Sequence, residues 1–477
     1  MGVSAEKYQQ SLDFLFGRLN YERMGSSKYS TSDFKLGRMQ ELLESLGNPQ
    51  SEVRTIHIAG TKGKGSTSAM IAEMLSAAGF RTGLFTSPHI TCYEKRILID
   101  GRQIEPEQLV DLVSELIQVV EQLDLKPGNL SPTFFELTTA LAWMHFQQQR
   151  VDFAVMEVGL GGRLDSTNVC EPLASVVTNI SYDHTALLGN TIEQITREKA
   201  GIIKQGVPVF SGVTQPEAMA VLEEVCREKQ APLYLLNRDF NRLVEPCQGF
   251  RREQTDDSRL FPDSNQQTIQ VRTPWSLIDQ MPVTLLGTHQ LTNATLAVTV
   301  IDYLRQQGVS LGDSQMRQGM TRLKWPARIE LVQKNPPVVI DTAHNGASIE
   351  ALVETLAASF PQTNRILIFA ATKDKDVGEM LETLLPSFQT VILTQYLSNP
   401  RRIPVEELVE LTRAVQLSTG NTSQLSITDS PEAAWLQAKD MLTPDALICV
   451  TGSFFIAAEL RELLLGTTDE VLVSEPC

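Results

Sequence analysis

The sequence predicts an α/β protein of two domains, each an open, mostly parallel sheet with helices packed against it. Three observations carry this. Short apolar runs with strand character alternate with segments of helical period along most of the chain. The central runs, such as 153–157 and 174–179, are mostly apolar up to their carboxyl ends, as expected of strands covered on both faces. The alternation breaks at Lys324-Trp325-Pro326, because proline disfavours helix in the residue before it, and then resumes.

The elements follow in order. Apolar residues at Tyr8, Leu12, Leu15, Phe16 and Leu19 give a helix over 4–19, and a second covers 33–46, stopped by Gly47. Residues 55–59 form a strand, 67–78 a helix with Met70, Ile71, Met74 and Leu75 on one face, and 82–86 a strand. Residues 96–104 read as a hairpin turned on Asp100-Gly101. Helices at 106–123 and 133–148 precede strands at 153–157 and 174–179, and the alternation continues to about 236. The stretch 245–274 is polar and reads as a hairpin excursion or long loop. Helices at 289–306 and 313–323 lead to the boundary. Beyond it, strands at 338–341, 366–370, 391–394 and 447–451 alternate with helices at 347–358, 405–415 and 430–441. The expected domains are 1–325, including the polar insertion, and 326–477.

The chain has 477 residues, with 41 Lys plus Arg and 57 Asp plus Glu, a net charge of −16. Such acidity argues against sequence-independent nucleic-acid binding and against docking on an anionic membrane. The six cysteines form no CxxC pair or metal-finger spacing and read as free thiols of a reducing compartment. No secretory leader or transmembrane run is present, and Glu6 breaks a myristoylation pattern, so a cytoplasmic location is expected. No sustained heptad argues against a monomer.

Five segments carry chemistry. Gly60-Thr61-Lys62-Gly63-Lys64-Gly65-Ser66 follows a strand and opens a helix, where backbone N–H groups, the helix N-terminus and Lys64 can converge on phosphate. The spacing departs from GxxxxGK[ST], since Ile58 replaces the first glycine and Gly65 follows Lys64. The competing reading, a generic glycine-rich turn, does not explain why strand, loop, lysine and helix agree. Ser87, Glu157 and Asp183-His184 stand at or just beyond the carboxyl ends of other strands, where open α/β sheets bind ligands, and Ser87 and Glu157 offer hard oxygen donors suited to Mg²⁺. Taken singly, Glu157 reads equally as a cap or ion-pair partner and His184 as a structural histidine. The run 157–168, EVGLGGRLDSTN, places glycines and charged side chains straight after a buried strand. Lys199 reads by itself as a solvated helix charge. Asp341, His344 and Asn345 end a strand in the second half, and the charged run 370–376 ends the next. Arg328, just past the boundary, is placed to reach phosphates across an interdomain cleft.

Taken together, AGTKGKGST (59–67), FTSPHI (85–90), PTFFELTTALA (132–142), EVGLGGRLDSTN (157–168), YDHTALLGNTIEQITREKAGIIK (182–204), HQLTNATLA (289–297), WPARIE (325–330), IDTAHN (340–345) and TGSFFIAAE (451–459) resemble the folylpolyglutamate synthase/dihydrofolate synthase family of the Mur ligase superfamily, most of all its bifunctional bacterial members. The blocks run in family order over nearly the whole chain. The resemblance implies a P-loop-type N-terminal domain and a smaller Rossmann-like C-terminal glutamate-ligase domain. It implies an ATP-dependent ligase of folate biosynthesis and polyglutamylation. Residues 60–66 with Asn293, Arg328 and Asp341 would bind ATP. Ser87, Glu157 and His184 would hold one or two Mg²⁺ ions, and Lys199 would be carbamylated to offer an anionic oxygen to a second ion. Lys64, Lys199 and His344 would be catalytic. Asp33, Phe34, Lys35, Thr133, Phe134, Phe135, Glu136, Leu164, Asp165 and Ser166 would contact the pteroate, and His344 with Asn345 the glutamate.

The implied chemistry joins two anions. A pteroate or folate carboxylate attacks the γ-phosphorus of ATP, and the amine of L-glutamate then attacks the acyl phosphate. Lys62, Lys64, Arg163, Arg328 and metal ions are the expected source of positive charge. Lys62 stands where Asn is frequent, and Thr342 where Gly is usual. A Mur-type cell-wall ligase is disfavoured because the phosphate loop at residue 60 leaves no room for an N-terminal nucleotide-sugar domain. A GTPase switch is disfavoured because Thr372-Lys373-Asp374-Lys375 has Lys where guanine recognition needs Asp. A monofunctional folylpolyglutamate synthase is the nearest alternative.

Overall fold

The structure is a computed structural model that describes residues 4–22, 24, 35–126, 131–243 and 267–466. The chain divides into two compact units. One comprises Met1–His89, Tyr93–Thr284 and His289–Lys324, the other Ile90–Cys92, Leu285–Thr288 and Trp325–Cys477.

The first unit is built on the strands β1 (Arg54–Ala59), β2 (Thr82–Phe85), β3 (Ile97–Ile99), β4 (Arg102–Gln103), β5 (Phe153–Glu157), β6 (Pro172–Val177), β7 (Val209–Ser211) and β8 (Leu233–Leu235). Their order across the sheet is β4-β3-β2-β5-β1-β6-β7-β8. The six strands from β2 to β8 pair in parallel. At that sheet's edge the β2–β3 and β3–β4 pairs are antiparallel. The β3–β4 turn places Asp100 and Gly101 at φ 50° and 74°, the left-handed pair a tight hairpin demands.

The register pairs Phe85 with Met156, Ile58 with Glu157 and Ala59 with Val177. The segments that follow β2, β5, β1 and β6 therefore leave the sheet side by side at its carboxyl edge. The helix Lys64–Ala77 after β1 is buried over most of its surface, so its sequence carries no clean polar face. The helix Asp313–Arg322 crosses it closely. A side chain at Gly319 would come within 2.5 Å of the Glu73 carbonyl oxygen, so only glycine fits.

One apolar core lies where the helices Ala5–Phe16, Leu36–Ser45, Pro106–Asp124 and Phe134–Gln148 meet residues of β2 and β5. Another joins Val177 and Val209 to the helices Ile192–Ala200 and Pro216–Glu228. A separate antiparallel sheet, in the order β11-β10-β9, contains β9 (Asn241–Leu243), β10 (Gln267–Arg272) and β11 (Leu277–Val283). The polar stretch 245–274 thus contributes β10. Its residues 245–266 lie outside the described residues. Buried Asp302 accepts hydrogen bonds from Thr273 and Ser276 and so holds the β10–β11 turn.

The second unit has a sheet of β12 (Glu330–Lys334), β13 (Pro337–Ile340), β14 (Asn364–Phe369), β15 (Thr390–Leu393), β16 (Gln424–Ile427) and β17 (Ala446–Thr451), in the order β12-β13-β17-β14-β15-β16. Only the β12–β13 pair is antiparallel. The last strand in sequence occupies the centre. The sequence reading lacked β12, β16 and the helices Val377–Leu384 and Phe454–Leu465. Among the described residues no helix is long and apolar enough to cross a membrane.

Candidate active site

The phosphate-loop segment leaves β1 at Gly60 and enters a helix at Lys64. Two of its glycines are dictated by backbone and space. Gly60 has φ 150°, and a Cβ there would lie 1.9 Å from Thr178 Oγ1; Gly63 has φ 79°, and its Cβ would lie 2.4 Å from Asn293 Oδ1. Gly63 caps the helix without a side-chain hydrogen bond, leaving first-turn N–H groups for an anion.

The segment after β6 fixes the loop. Thr61 N donates to Asn179 O at 2.9 Å and Lys62 N to Asn179 Oδ1 at 2.7 Å. Thr178 Oγ1 donates to Lys62 O at 2.6 Å, and Ser181 N to Thr61 Oγ1 at 3.1 Å. Sequence reasoning had missed Thr178, Asn179 and Ser181, although their place after an apolar strand was the available signal. Asn293, read as an ATP ligand, packs against Gly63 and donates to Gln290 Oε1 at 3.0 Å.

The expected cations behave unequally. Lys64 Nζ turns back on the loop carbonyls of Gly60 (3.2 Å) and Thr61 (3.5 Å). Lys62 Nζ pairs with Asp183 Oδ2 at 3.0 Å. Half-exposed Arg163 pairs with Glu198. Lys62 and Arg163 are thus each paired with a carboxylate, whereas Lys64 has only carbonyl partners among the bonds described. Lys199 is not the solvated helix charge that its sequence surroundings suggest. It is buried, and its Nζ donates to Gly60 O at 2.9 Å. Burial, reinforced by the charge of Lys64 and opposed by Asp183, brings its amine down to about 7.

Ser87 and Glu157 meet where β2 and β5 end: Ser87 N donates to Glu157 Oε2 at 3.1 Å, and Glu157 is buried. His184 has left-handed backbone (φ 51°), and its N–H donates to Asp183 Oδ1 at 3.0 Å. Among the described residues no three His, Cys, Asp or Glu side chains cluster closely enough to hold a metal. A buried carboxylate beside a serine is nonetheless a hard-oxygen donor set, which fits Mg²⁺ that keeps waters and substrate phosphate oxygens in its shell.

Of the segments assigned to pteroate, Asp33 and Phe34 lie outside the described residues. Lys35 precedes the helix Leu36–Ser45. Thr133 and Glu136 form a capping box, and the Glu136 carboxylate also receives Arg38 Nε at 2.7 and 2.9 Å. Phe134 is fully buried and stacks on Phe16 at 5.1 Å, whereas the Phe135 ring lies against Gly159. Asp165 accepts Leu160 N (2.8 Å), Thr167 N (3.0 Å) and Thr167 Oγ1 (2.6 Å), which folds the glycine-rich loop about one carboxylate. Burial pushes that carboxyl above its ordinary range against the pull of these bonds. Ser166 is buried and Leu164 half-buried.

His57, in the middle of β1, was not singled out in the sequence. Its Nε2 lies 2.8 Å from Thr167 Oγ1. Because that hydroxyl donates to Asp165, the ring nitrogen must carry the proton. Burial and then Lys204 lower this histidine to about 3.

In the second unit, Asp341 accepts Ile329 N at 2.9 Å and Ala343 N at 2.7 Å. His344 Nδ1 lies 2.8 Å from Thr342 O. A carbonyl only accepts, so Nδ1 is protonated and Nε2 is the basic nitrogen of the neutral ring. Asn345 caps the helix Gly346–Ser359 through Ser348 N at 3.1 Å. Arg328 is half-buried and makes no hydrogen bond or ion pair among the described residues. Its neighbours Ala327 (φ 52°) and Ile329 (φ 49°) are both left-handed, a strain of about 1–3 kcal/mol each for non-glycine residues.

Comparison with known proteins accords with this geometry. Residues 58–301 match the Mur ligase middle domain, and 327–454 match the Mur ligase glutamate ligase domain. A dihydrofolate synthase/folylpolyglutamate synthase of Bacillus subtilis is 34% identical over 459 residues, covering 96% of this chain and 99% of that one. A Mycobacterium tuberculosis folylpolyglutamate synthase complexed with ADP superposes with a TM-score of 0.83 at 30% identity, over 96% of this chain and 98% of that one. An FPGS–AMPPCP–folate complex superposes with a TM-score of 0.76 at 31% identity, over 96% and 100%. With a phosphate loop at the carboxyl edge of one sheet and agreement with such relatives from end to end, the chain belongs to the folylpolyglutamate synthase/dihydrofolate synthase family of the Mur ligases.

Proposed function

We propose that this protein is an ATP-dependent ligase that adds L-glutamate to dihydropteroate and to reduced folate polyglutamates. The observation that carries the reading is the Gly60–Ser66 loop, strapped to the segment after β6 and backed by buried Lys199 at Gly60 O. Relatives solved with ADP, and with AMPPCP and folate, support ATP and a folate as substrates.

Residues 1–325 would bind ATP and 326–477 would serve glutamate. The loop N–H groups, the helix end at Lys64 and the Lys64 ammonium bind and orient the triphosphate. Lys64 exchanges its carbonyl partners for phosphate oxygens. Arg328, with no partner to give up among the described residues, adds a second cation. Asn293 and Asp341 complete the nucleotide contacts. Ser87, Glu157 and His184, with the carbamate of Lys199, would hold one or two Mg²⁺ ions, which supply charge neutralisation at the phosphates when bound.

The substrate carboxylate then attacks the γ-phosphorus, giving an acyl phosphate and ADP. The α-amine of glutamate attacks the acyl carbon, loses its proton, and phosphate departs. His344 Nε2 is the nitrogen suited to take that proton, because Nδ1–H is held by Thr342 O. Carbamylation of Lys199 needs a neutral amine, which its lowered proton affinity provides near neutral pH.

The test uses purified protein with ATP, Mg²⁺, L-glutamate and either dihydropteroate or a reduced folate, with product mass and ADP both measured. Product should gain one glutamate per ADP formed. Glutamate-dependent ADP release without any pterin would overturn the reading, and turnover of only one pterin would make the enzyme monofunctional.

A further inference from the structure

The turn that carries Arg328 is held in shape from both sides. Ala327 and Ile329 flank the arginine, both are left-handed, and Ile329 is β-branched, a residue type that avoids this backbone. Such a conformation persists only when its surroundings impose it. Each flanking N–H is gripped by a carboxylate: Ile329 N by Asp341 Oδ2 at 2.9 Å, and Ala327 N by Glu330 Oε2 at 2.7 Å. Glu330 is gripped in turn. Arg461, buried on the helix Phe454–Leu465, reaches it with Nε to Oε2 at 2.8 Å and Nη2 to Oε1 at 3.0 Å, the two-pronged match of guanidinium to carboxylate. That helix is tied to the loop beyond Asp341, since Gly452 N donates to Ala343 O at 3.1 Å.

We propose that Glu330 and Arg461 are positioning residues that hold the Ala327–Ile329 turn strained so that the Arg328 guanidinium is presented to the nucleotide phosphates. This rests on the reading of Arg328 as a phosphate ligand. Arg461 fixes the Glu330 carboxylate, Glu330 fixes Ala327 N, and the left-handed pair fixes the direction in which Arg328 leaves the chain. Released from the strap, Ala327 relaxes toward ordinary backbone and Arg328 samples other directions. Glu330 and Arg461 touch no substrate in this scheme, so their effect passes through Arg328.

A double-mutant cycle on the full-length enzyme tests this, reading kcat and KM for ATP together with the melting temperature. Arg328→Ala should raise KM for ATP or lower kcat by about tenfold or more, and Glu330→Gln should do most of the same. In the Arg328→Ala background, Glu330→Gln should change kcat/KM by less than about twofold, since the group it positions is gone. Multiplicative losses in the double variant would overturn the proposal and leave Glu330 a structural residue. An unaffected Arg328→Ala enzyme would instead overturn the phosphate-ligand reading itself. If Glu330→Gln does not fold, Arg461→Lys, which keeps a charge but loses the two-pronged grip, enters the same cycle. The exchanged pair Glu330→Arg with Arg461→Glu separates the roles further. It restores an ion pair but gives Ala327 N no acceptor, so melting temperature should recover while KM for ATP does not. Recovery of both would contradict the proposal.

Discussion

Lys199 is where sequence chemistry and structural setting diverge most. In the sequence it is one lysine in a helix of mixed polarity; in the fold it is buried with its Nζ on the phosphate-loop carbonyl of Gly60. A buried ammonium beside a second lysine is unfavourable, which is why its amine falls to about 7. Lys199→Ala should lower kcat by roughly 10²–10³-fold, the scale of losing one preorganised charged group, with partial rescue by small carboxylates. The native enzyme in ¹³C-bicarbonate should show a carbamate carbon signal that the variant lacks; full activity of Lys199→Ala would refute the role. The glycines make a second residue-level prediction. Gly60→Ala forces a Cβ to 1.9 Å from Thr178 Oγ1, so it should weaken ATP binding by about tenfold or more and lower the melting temperature. Calorimetric titration with ATP checks it.

Among the elements, β1 is central, since it sits between β5 and β6 and carries both the phosphate loop and His57. The unfolded chain protonates His57 near its ordinary value of about 6.5, the folded chain only near 3. Between those values the unfolded state binds more protons, so stability falls as pH drops through this window, by on the order of 5 kcal/mol in total. His57→Gln, whose amide can still donate to Thr167, should flatten the decline of melting temperature between pH 6.5 and 4; an unchanged slope would contradict the assignment. Strands such as β5 and β17 were legible because a strand covered on both faces is apolar throughout. The phosphate loop was legible because glycine, lysine and helix start must follow a strand in that order. Neither the central place of β17, last in sequence but between β13 and β14, nor the insertion of β5 between β2 and β1 was legible, because pairing order is a long-range property with no local signal. The edge strand β16, with its partly exposed, polar-leaning sequence, and the helix Val377–Leu384 directly after a charged run, escaped for the opposite reason: local composition masked them. Partner choice escaped too, as with Lys62 on Asp183, Arg163 on Glu198 and Arg38 on Glu136.

At the scale of the molecule, the charge of −16 opposes substrates that are themselves anions. Lys62 and Arg163 are paired with carboxylates, so on the proposed reading the phosphates are held by groups that act at short range, Lys64 and the helix end behind it among them. A net charge of −16 predicts no attraction over many ångströms, and screening, which acts beyond about 10 Å at 0.1 M salt, should not slow substrate capture. Raising NaCl from about 50 to about 200 mM at fixed free Mg²⁺ should leave kcat/KM for ATP level or slightly higher, whereas a steering positive field would lower it severalfold. In the proposed reaction a substrate carboxylate is activated by phosphoryl transfer before glutamate attacks it. Dihydropteroate labelled with ¹⁸O in its carboxyl group tests this most directly. One ¹⁸O should appear in each inorganic phosphate released during glutamate-dependent turnover, because the oxygen that attacks phosphorus leaves with it. Unlabelled phosphate accompanying full product formation would contradict the account.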